Sequence, residues 1–216
     1  MGKCIIEYVK EKCLKKTSNY HHGNLKEELL KQAVQIIQEK GVDAVTLQVL
    51  ATELGTSRSA IYRHFRSKNE LMHNVILYGF EMFDAKISPI FMQSEETVTK
   101  RLYLMGKEYI KFALDHPNLY RMLFGEKFKE MREENCTIEE DDPSKGFQAL
   151  VGLLMEGQST NQFCKTDPMF QAQTIHANVH GLASLSIDGH IHVIDNIDEL
   201  YEASFNTLTN GLLEKN

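Results

Sequence analysis

The sequence predicts an all-α protein, with a three-helix head of helix-turn-helix form followed by a longer helical body. Two observations carry this. Apolar residues recur at three- and four-residue spacing along the chain, the mark of one buried helix face. Capping and stop signals crowd between Asn24 and Glu70, which demands several short helices in quick succession.

The first helix follows from Asn24 and Glu27, which form a capping box. Leu25, Leu29, Ala33, Ile36 and Ile37 then make one apolar face, and Gly41 is placed to end the helix after Lys40. Thr46 caps a second helix whose inner face is Leu47, Leu50, Ala51 and Leu54, and Gly55 stops it. One residue later Ser57 caps a third helix, with Ile61 and Phe65 on its inner side. Ser67 and Glu70 form a further capping box for a fourth, over about Lys68 to Ile87. Two short helices joined by a glycine turn after a longer supporting helix make a helix-turn-helix.

With Ile61 and Phe65 inward, Arg58, Ser59, Tyr62, Arg63 and Arg66 point outward. Three arginines and a tyrosine on so short a segment need a partner. Arginine can fork to guanine in the major groove, and hydroxyls can reach bases or phosphates. Lys68 opposes the dipole of the helix it opens, unless a phosphate sits at that N-terminus and binds both. Charge is distributed to match. Residues 1–73 hold twelve Lys/Arg against eight Asp/Glu, while the remainder holds twelve against twenty-two, within a net charge of −6. Only the head is suited to a polyanion.

The stretch from Gly41 to Leu71, GVDAVTLQVLATELGTSRSAIYRHFRSKNEL, resembles the DNA-binding signature of the TetR family. The matching features are Gly41, Thr46, the Ala51–Leu54 helix, Gly55-Thr56-Ser57, Ile61-Tyr62, His64-Phe65, Lys68 and Leu71. The resemblance implies that Thr46, Tyr62, His64 and Lys68 contact phosphates, and that Ser57, Arg58, Ser59 and Arg63 read bases. Ser59 stands where the family often has Gly or Pro. The domains expected are a basic N-terminal arm (1–19), a helix-turn-helix DNA-binding domain (20–66) and a helical effector-binding and dimerisation domain (67–216).

In the body, helices are expected at Glu95 to Asp115, Pro117 to Phe124, Pro143 to Glu156, Pro168 to Ile187 and Ile197 to Leu213, with an acidic loop or mobile lid over Glu126 to Asp142. The segments HPNLYRMLFGE and NVHGLASL resemble a C-terminal class of the family labelled by a Trp-His-Gly motif, although this chain has no tryptophan and Val179 precedes His180-Gly181. The uncharged Pro168–Ile187 helix should be buried on most sides. Its small residues Ala177, Gly181 and Ser184, with Ile197, Leu200, Tyr201, Ser204, Phe205, Leu208 and Leu212 of the last helix, suit the four-helix bundle of a homodimer that the resemblance implies.

Tyr103, Tyr109, Phe112, Phe124, Phe147 and Met155 read either as plain core or as the lining of an apolar ligand pocket. His176 and His180 form an HxxxH pair that reads as polar pocket wall or satisfied core histidines. A metal site is the remaining reading, but no HExxH glutamate accompanies it. The four cysteines lack CxxC spacing and read as reduced thiols. No catalytic constellation, cofactor motif, signal peptide or membrane span is legible.

These features lead to a cytoplasmic regulator of double-stranded operator DNA, a repressor released from a palindromic site by a small apolar or amphipathic effector. The alternatives are a metal-dependent enzyme using His176 and His180, and a DNA-binding dimer without an effector.

Overall fold

Leu29, Ala33, Val34, Ile36 and Ile37 are all buried, and they fix one side of α1 (Leu25–Lys40) against the rest of the chain. The computed structural model describes residues 25–125, 145–191 and 196–212. Eight further α-helices follow among the described residues, with no strand: α2 (Leu47–Glu53), α3 (Arg58–Tyr62), α4 (Lys68–Phe91), α5 (Val98–Asp115), α6 (Pro117–Phe124), α7 (Lys145–Ser159), α8 (Pro168–Ile187) and α9 (Ile197–Leu212). The Asn24 cap, the arm at 1–19, the acidic segment Glu126 to Asp142, and Cys4, Cys13 and Cys136 lie outside the described residues.

The head is built by its caps. Thr46 Oγ1 accepts from Val49 N at 3.1 Å, Ser57 Oγ from Ala60 N at 3.2 Å and Ser67 Oγ from Glu70 N at 3.1 Å. Each satisfies an amide the first helical turn would leave unpaired. Between α2 and α3, Gly55 adopts φ 59°, a left-handed turn that other residues resist. Glu70 reaches back to the amide of Arg66, one residue before the cap.

Some boundaries differ from expectation. Helix α4 continues past Ile87 to Phe91 with Pro89 inside it. Proline leaves the Ala85 carbonyl without its helical donor, but both residues face solvent, where water can replace the bond. Helix α5 starts at Val98 rather than Glu95, because Thr97 provides its cap by accepting from Lys100 N. Helix α7 runs to Ser159, beyond Glu156. Helix α3 ends at Tyr62, yet Phe65 N still bonds Ile61 O at 3.0 Å, so the two apolar side chains stay on one side.

In the body, α5 packs between α4 and α8, with α7 and α6 completing the layer and α9 resting on α5 and α8. One buried cluster extends from Leu29 in the head to Tyr201 in α9, so head and body share a core. Helix α8 is not buried on most sides within one chain. Gln171, Ala172, Ile175, Val179, Ala183 and Ser186 face inward, while Phe170 is 68% exposed and Leu185 46%. The expected α9 stripe also divides. Tyr201 is buried against α5, its hydroxyl donating to the Tyr103 carbonyl at 2.9 Å, and Phe205 packs edge-on to the Tyr103 ring.

Candidate functional site

On α3 the inner residues Ile61 and Phe65 are 0% and 1% exposed. Arg58, Ser59, Tyr62, Arg63, His64 and Arg66 all lie at the surface, with Tyr62 half exposed at 51%. Lys68, at the first position of α4, is exposed beside them. Among the described residues, no carboxylate lies within ion-pair distance of Arg58, Arg63, Arg66 or Lys68. Four unneutralised cations on one small surface repel one another and attract a polyanion.

The serines are partly committed elsewhere. Ser57 Oγ caps α3 and lies 2.8 Å from Ser59 Oγ, so one hydroxyl holds the other. Thr46 likewise uses its oxygen as a cap. Each still has unused hydrogen-bonding capacity for a phosphate or base. The Lys26 ammonium sits 5.8 Å over the Phe65 ring, on the inner side of α3.

In the body, the structure brings Tyr109, Phe112, Phe124, Phe147, His176 and His180 into one aromatic cluster with Phe83 and Tyr120. It does not bring the other two expected residues there. Tyr103 stacks on Tyr201 between α5 and α9, and Met155 is 56% exposed on α7. A cleft of about 280 Å³ opens beside the cluster between α6 and α8, lined by Tyr120, Phe124, His180, Ser184, Ile187 and the Arg121–Asp188 pair.

The polar atoms of this cluster pair with each other. Tyr120 Oη lies 2.7 Å from His180 Nδ1 and 3.0 Å from Tyr109 Oη. Tyr109 Oη is in turn 3.4 Å from His176 Nε2, and His180 Nε2 is 3.4 Å from Ser184 Oγ. Burial disfavours the imidazolium form and pulls both histidines below the ordinary value, and their mutual repulsion adds to this at His176. Burial also raises the Tyr120 hydroxyl to about 12 and lifts Tyr109 well above the usual tyrosine range. The cluster is therefore uncharged at neutral pH.

Among the described residues no group of three His, Cys, Asp or Glu is placed to hold a metal ion. His176 Nε2 and His180 Nδ1 turn to tyrosine hydroxyls instead, and the metal-enzyme alternative finds no support. No described helix is long and apolar enough to cross a membrane.

Sequence reasoning missed the contact between head and body. Gln38 Nε2 meets His116 Nδ1 at 2.8 Å, and Asn118 Nδ2 donates to the Gln38 carbonyl at 3.1 Å. These residues lie about eighty apart along the chain, and no local signal links them. The cleft residues Ser184 and Arg121 were also missed. The i, i+4 spacing of His180 and Ser184 on one helix face is a signal that could have found the first.

Comparison with known proteins agrees with this architecture. Residues 29–75 match the family model of bacterial regulatory proteins, tetR family, and residues 102–208 that of the tetracyclin repressor-like C-terminal domain. The nucleoid occlusion factor SlmA of Vibrio cholerae serotype O1 is 31% identical over 103 residues, which is 47% of this chain and 52% of that protein. The chain spans about half the length of the curated relatives it matches. A protein of unknown function from Rhodococcus sp. RHA1 superposes with a TM-score of 0.73 at 25% identity, covering 91% of this chain and 100% of that one. The regulator FadR from Bacillus subtilis, solved with stearoyl-CoA, shares the fold with a TM-score of 0.66 at 16% identity, over 86% of this chain and 98% of its own.

Proposed function

The chain belongs to the TetR family of DNA-binding bacterial regulators, and on that premise we propose that it is a cytoplasmic repressor released from a palindromic operator by a small apolar or amphipathic effector. Proteins of this family bind operator DNA and form dimers. The observation that carries the reading is the outer surface of α3, where Arg58, Tyr62 and Arg63 are exposed with no carboxylate partner among the described residues, beside Lys68 at the start of α4.

In the proposed complex, α3 enters the major groove. Arg58, Ser59 and Arg63 face base edges, with the Ser57 hydroxyl beside them, while Thr46, Tyr62, His64 and Lys68 hold phosphates. A homodimer joined through α8 and α9 would place two copies of α3 on successive grooves. The exposed Phe170 and Leu185 of α8 support that interface, since a lone chain would leave them in water.

Helix α4 runs from head to body, and α6 touches α1 through Asn118 while carrying Tyr120 and Phe124 to the cleft. An effector bound more tightly by one arrangement of α6 than by another would shift the head with it. The stearoyl-CoA in FadR supports a ligand in the body of this fold, without naming the ligand of this chain.

Selection of bound sites from random duplex DNA tests the reading. It should enrich a near-palindrome whose half-sites lie about 10 base pairs apart, or a multiple of that. Recovery of unrelated sequences would contradict it.

A further inference from the structure

Three candidates stand out beyond the DNA-facing surface: the groove between α5 and α9, the buried Arg101, and the cleft between α6 and α8. The groove is bordered by Lys107 and Asp198, which pair at 3.1 Å, and nothing there points to an occupant. Arg101 ties the Phe91 carbonyl at the end of α4 to Glu156 on α7, a structural task. The cleft is different, because a chain of polar atoms ends at its wall.

That chain links three helices: His176 and His180 on α8, Tyr109 on α5 and Tyr120 on α6. A neutral imidazole has one donor and one acceptor nitrogen. A phenol is a better donor than acceptor, and imidazole nitrogen a strong acceptor, so Tyr120 donates to His180 Nδ1 across 2.7 Å. Tyr109 Oη also approaches His180 Nδ1, at 3.3 Å. With Nδ1 accepting, the proton of the neutral ring sits on His180 Nε2, which meets Ser184 Oγ at 3.4 Å at the wall of the cleft. A hydrogen bond accepted at Nδ1 polarises the ring and strengthens Nε2–H as a donor.

The rest of the wall restricts what can use that donor. Phe124, Ile187 and the Tyr120 ring are apolar faces, with Tyr120 and Phe124 rings 4.8 Å apart. Among the described residues the one cation of this wall, Arg121, is 2.7 Å from Asp188 and also donates to the Ile187 carbonyl at 3.2 Å. Among the described residues, a carboxylate or phosphate entering here would meet no positive charge that is not already paired.

We propose that this cleft binds an uncharged, flat, mostly apolar ligand carrying a carbonyl-type oxygen, which accepts from His180 Nε2–H and the Ser184 hydroxyl. This deepens the effector reading above and rests on it. The cleft volume of about 280 Å³ suits a body of roughly two fused rings.

The test uses the full chain and three probes of one shape: 2-acetylnaphthalene, 2-naphthoate and naphthalene, each titrated calorimetrically. The ketone should bind about tenfold more tightly than either of the others, the worth of a satisfied hydrogen bond in an apolar site. His180→Phe keeps a flat ring but removes both nitrogens, and should bring the ketone to within about twofold of naphthalene. Should that variant melt early, Tyr120→Phe and Ser184→Ala carry the test, each lowering the preference for ketone over naphthalene. Naphthoate binding as well as the ketone would overturn the proposal. So would a preference untouched by these substitutions, or the binding of none of the three probes.

Operator affinity is measured alongside. Correct probe ranking with unchanged operator affinity keeps the cleft assignment and removes effector release. Probe-driven release that ignores His180 keeps effector release and removes the cleft assignment.

Discussion

The head and the body treat their polar groups in opposite ways. On α3 and the start of α4, Arg58, Arg63, Arg66 and Lys68 stand in solvent without ion-pair partners among the described residues. In the body, Tyr109, Tyr120, His176 and His180 satisfy one another inside an aromatic cluster, and Arg101 is held by Glu156 and a backbone carbonyl. The lesson concerns where binding energy can come from. Exposed cations displace the counterions condensed on a polyanion, whereas enclosed neutral groups can only exchange one hydrogen bond for another. On the proposed reading, such a protein holds DNA by charge and tells effectors apart by which neutral hydrogen bonds they can replace.

The comparison is broken most severely by removing what supports the exposed face. Phe65 is 1% exposed and backs α3, so Phe65→Ala should cost about 3–5 kcal/mol in denaturant unfolding and abolish DNA binding. Next comes the body's close packing. A methyl group at Gly106 would strike the Tyr201 hydroxyl, which is fixed by its bond to the Tyr103 carbonyl. Gly106→Ala should therefore cost about 1–3 kcal/mol while leaving the head intact, seen as a lower melting temperature with operator affinity retained per folded dimer.

Gln38→Ala sharpens the comparison at its seam. It removes the side-chain bond to His116 and should cost about 1 kcal/mol of stability. If α6 carries the signal, ligand titration should then release the operator less completely.

The smallest effect is one of pH. The cluster histidines His176 and His180 have depressed values when folded, so the unfolded chain takes up protons first as acidity rises. The stability these groups contribute is present above the ordinary histidine value and falls as pH drops through it toward their folded values. Melting curves at about pH 7.5 and about pH 5.5 should show a larger fall for the wild type than for His176→Phe, which lacks one such group.

Legibility in the sequence followed locality. The limits of α1, α6 and α8 and the caps at Thr46, Ser57 and Ser67 were readable because each depends on residues within one turn. The exposed set on α3 was readable for the same reason, since Ile61 and Phe65 fix the helix rotation. The start of α5 was not, because acidic residues at 95 and 96 look as helical as the true cap, Thr97. The aromatic cluster of the body was legible in composition but not in placement. Periodicity finds aromatic faces, yet only the contact of the Tyr103 ring with Tyr201 and Phe205 of α9 removes it from the cluster. The tie between Gln38 and Asn118 depends on how distant helices meet, and no spacing encodes it.

The central claim is that the outward side of α3 reads base sequence while Lys68 grips the backbone. Its most direct test measures dissociation constants of the wild type, Arg63→Ala and Lys68→Ala on the selected operator and on random duplex, over a range of salt. Arg63→Ala should lose about 1–3 kcal/mol on the operator and much less on random DNA. Lys68→Ala should weaken both alike and lower the salt slope by about 1. Equal losses on operator and random DNA for Arg63→Ala would contradict the account.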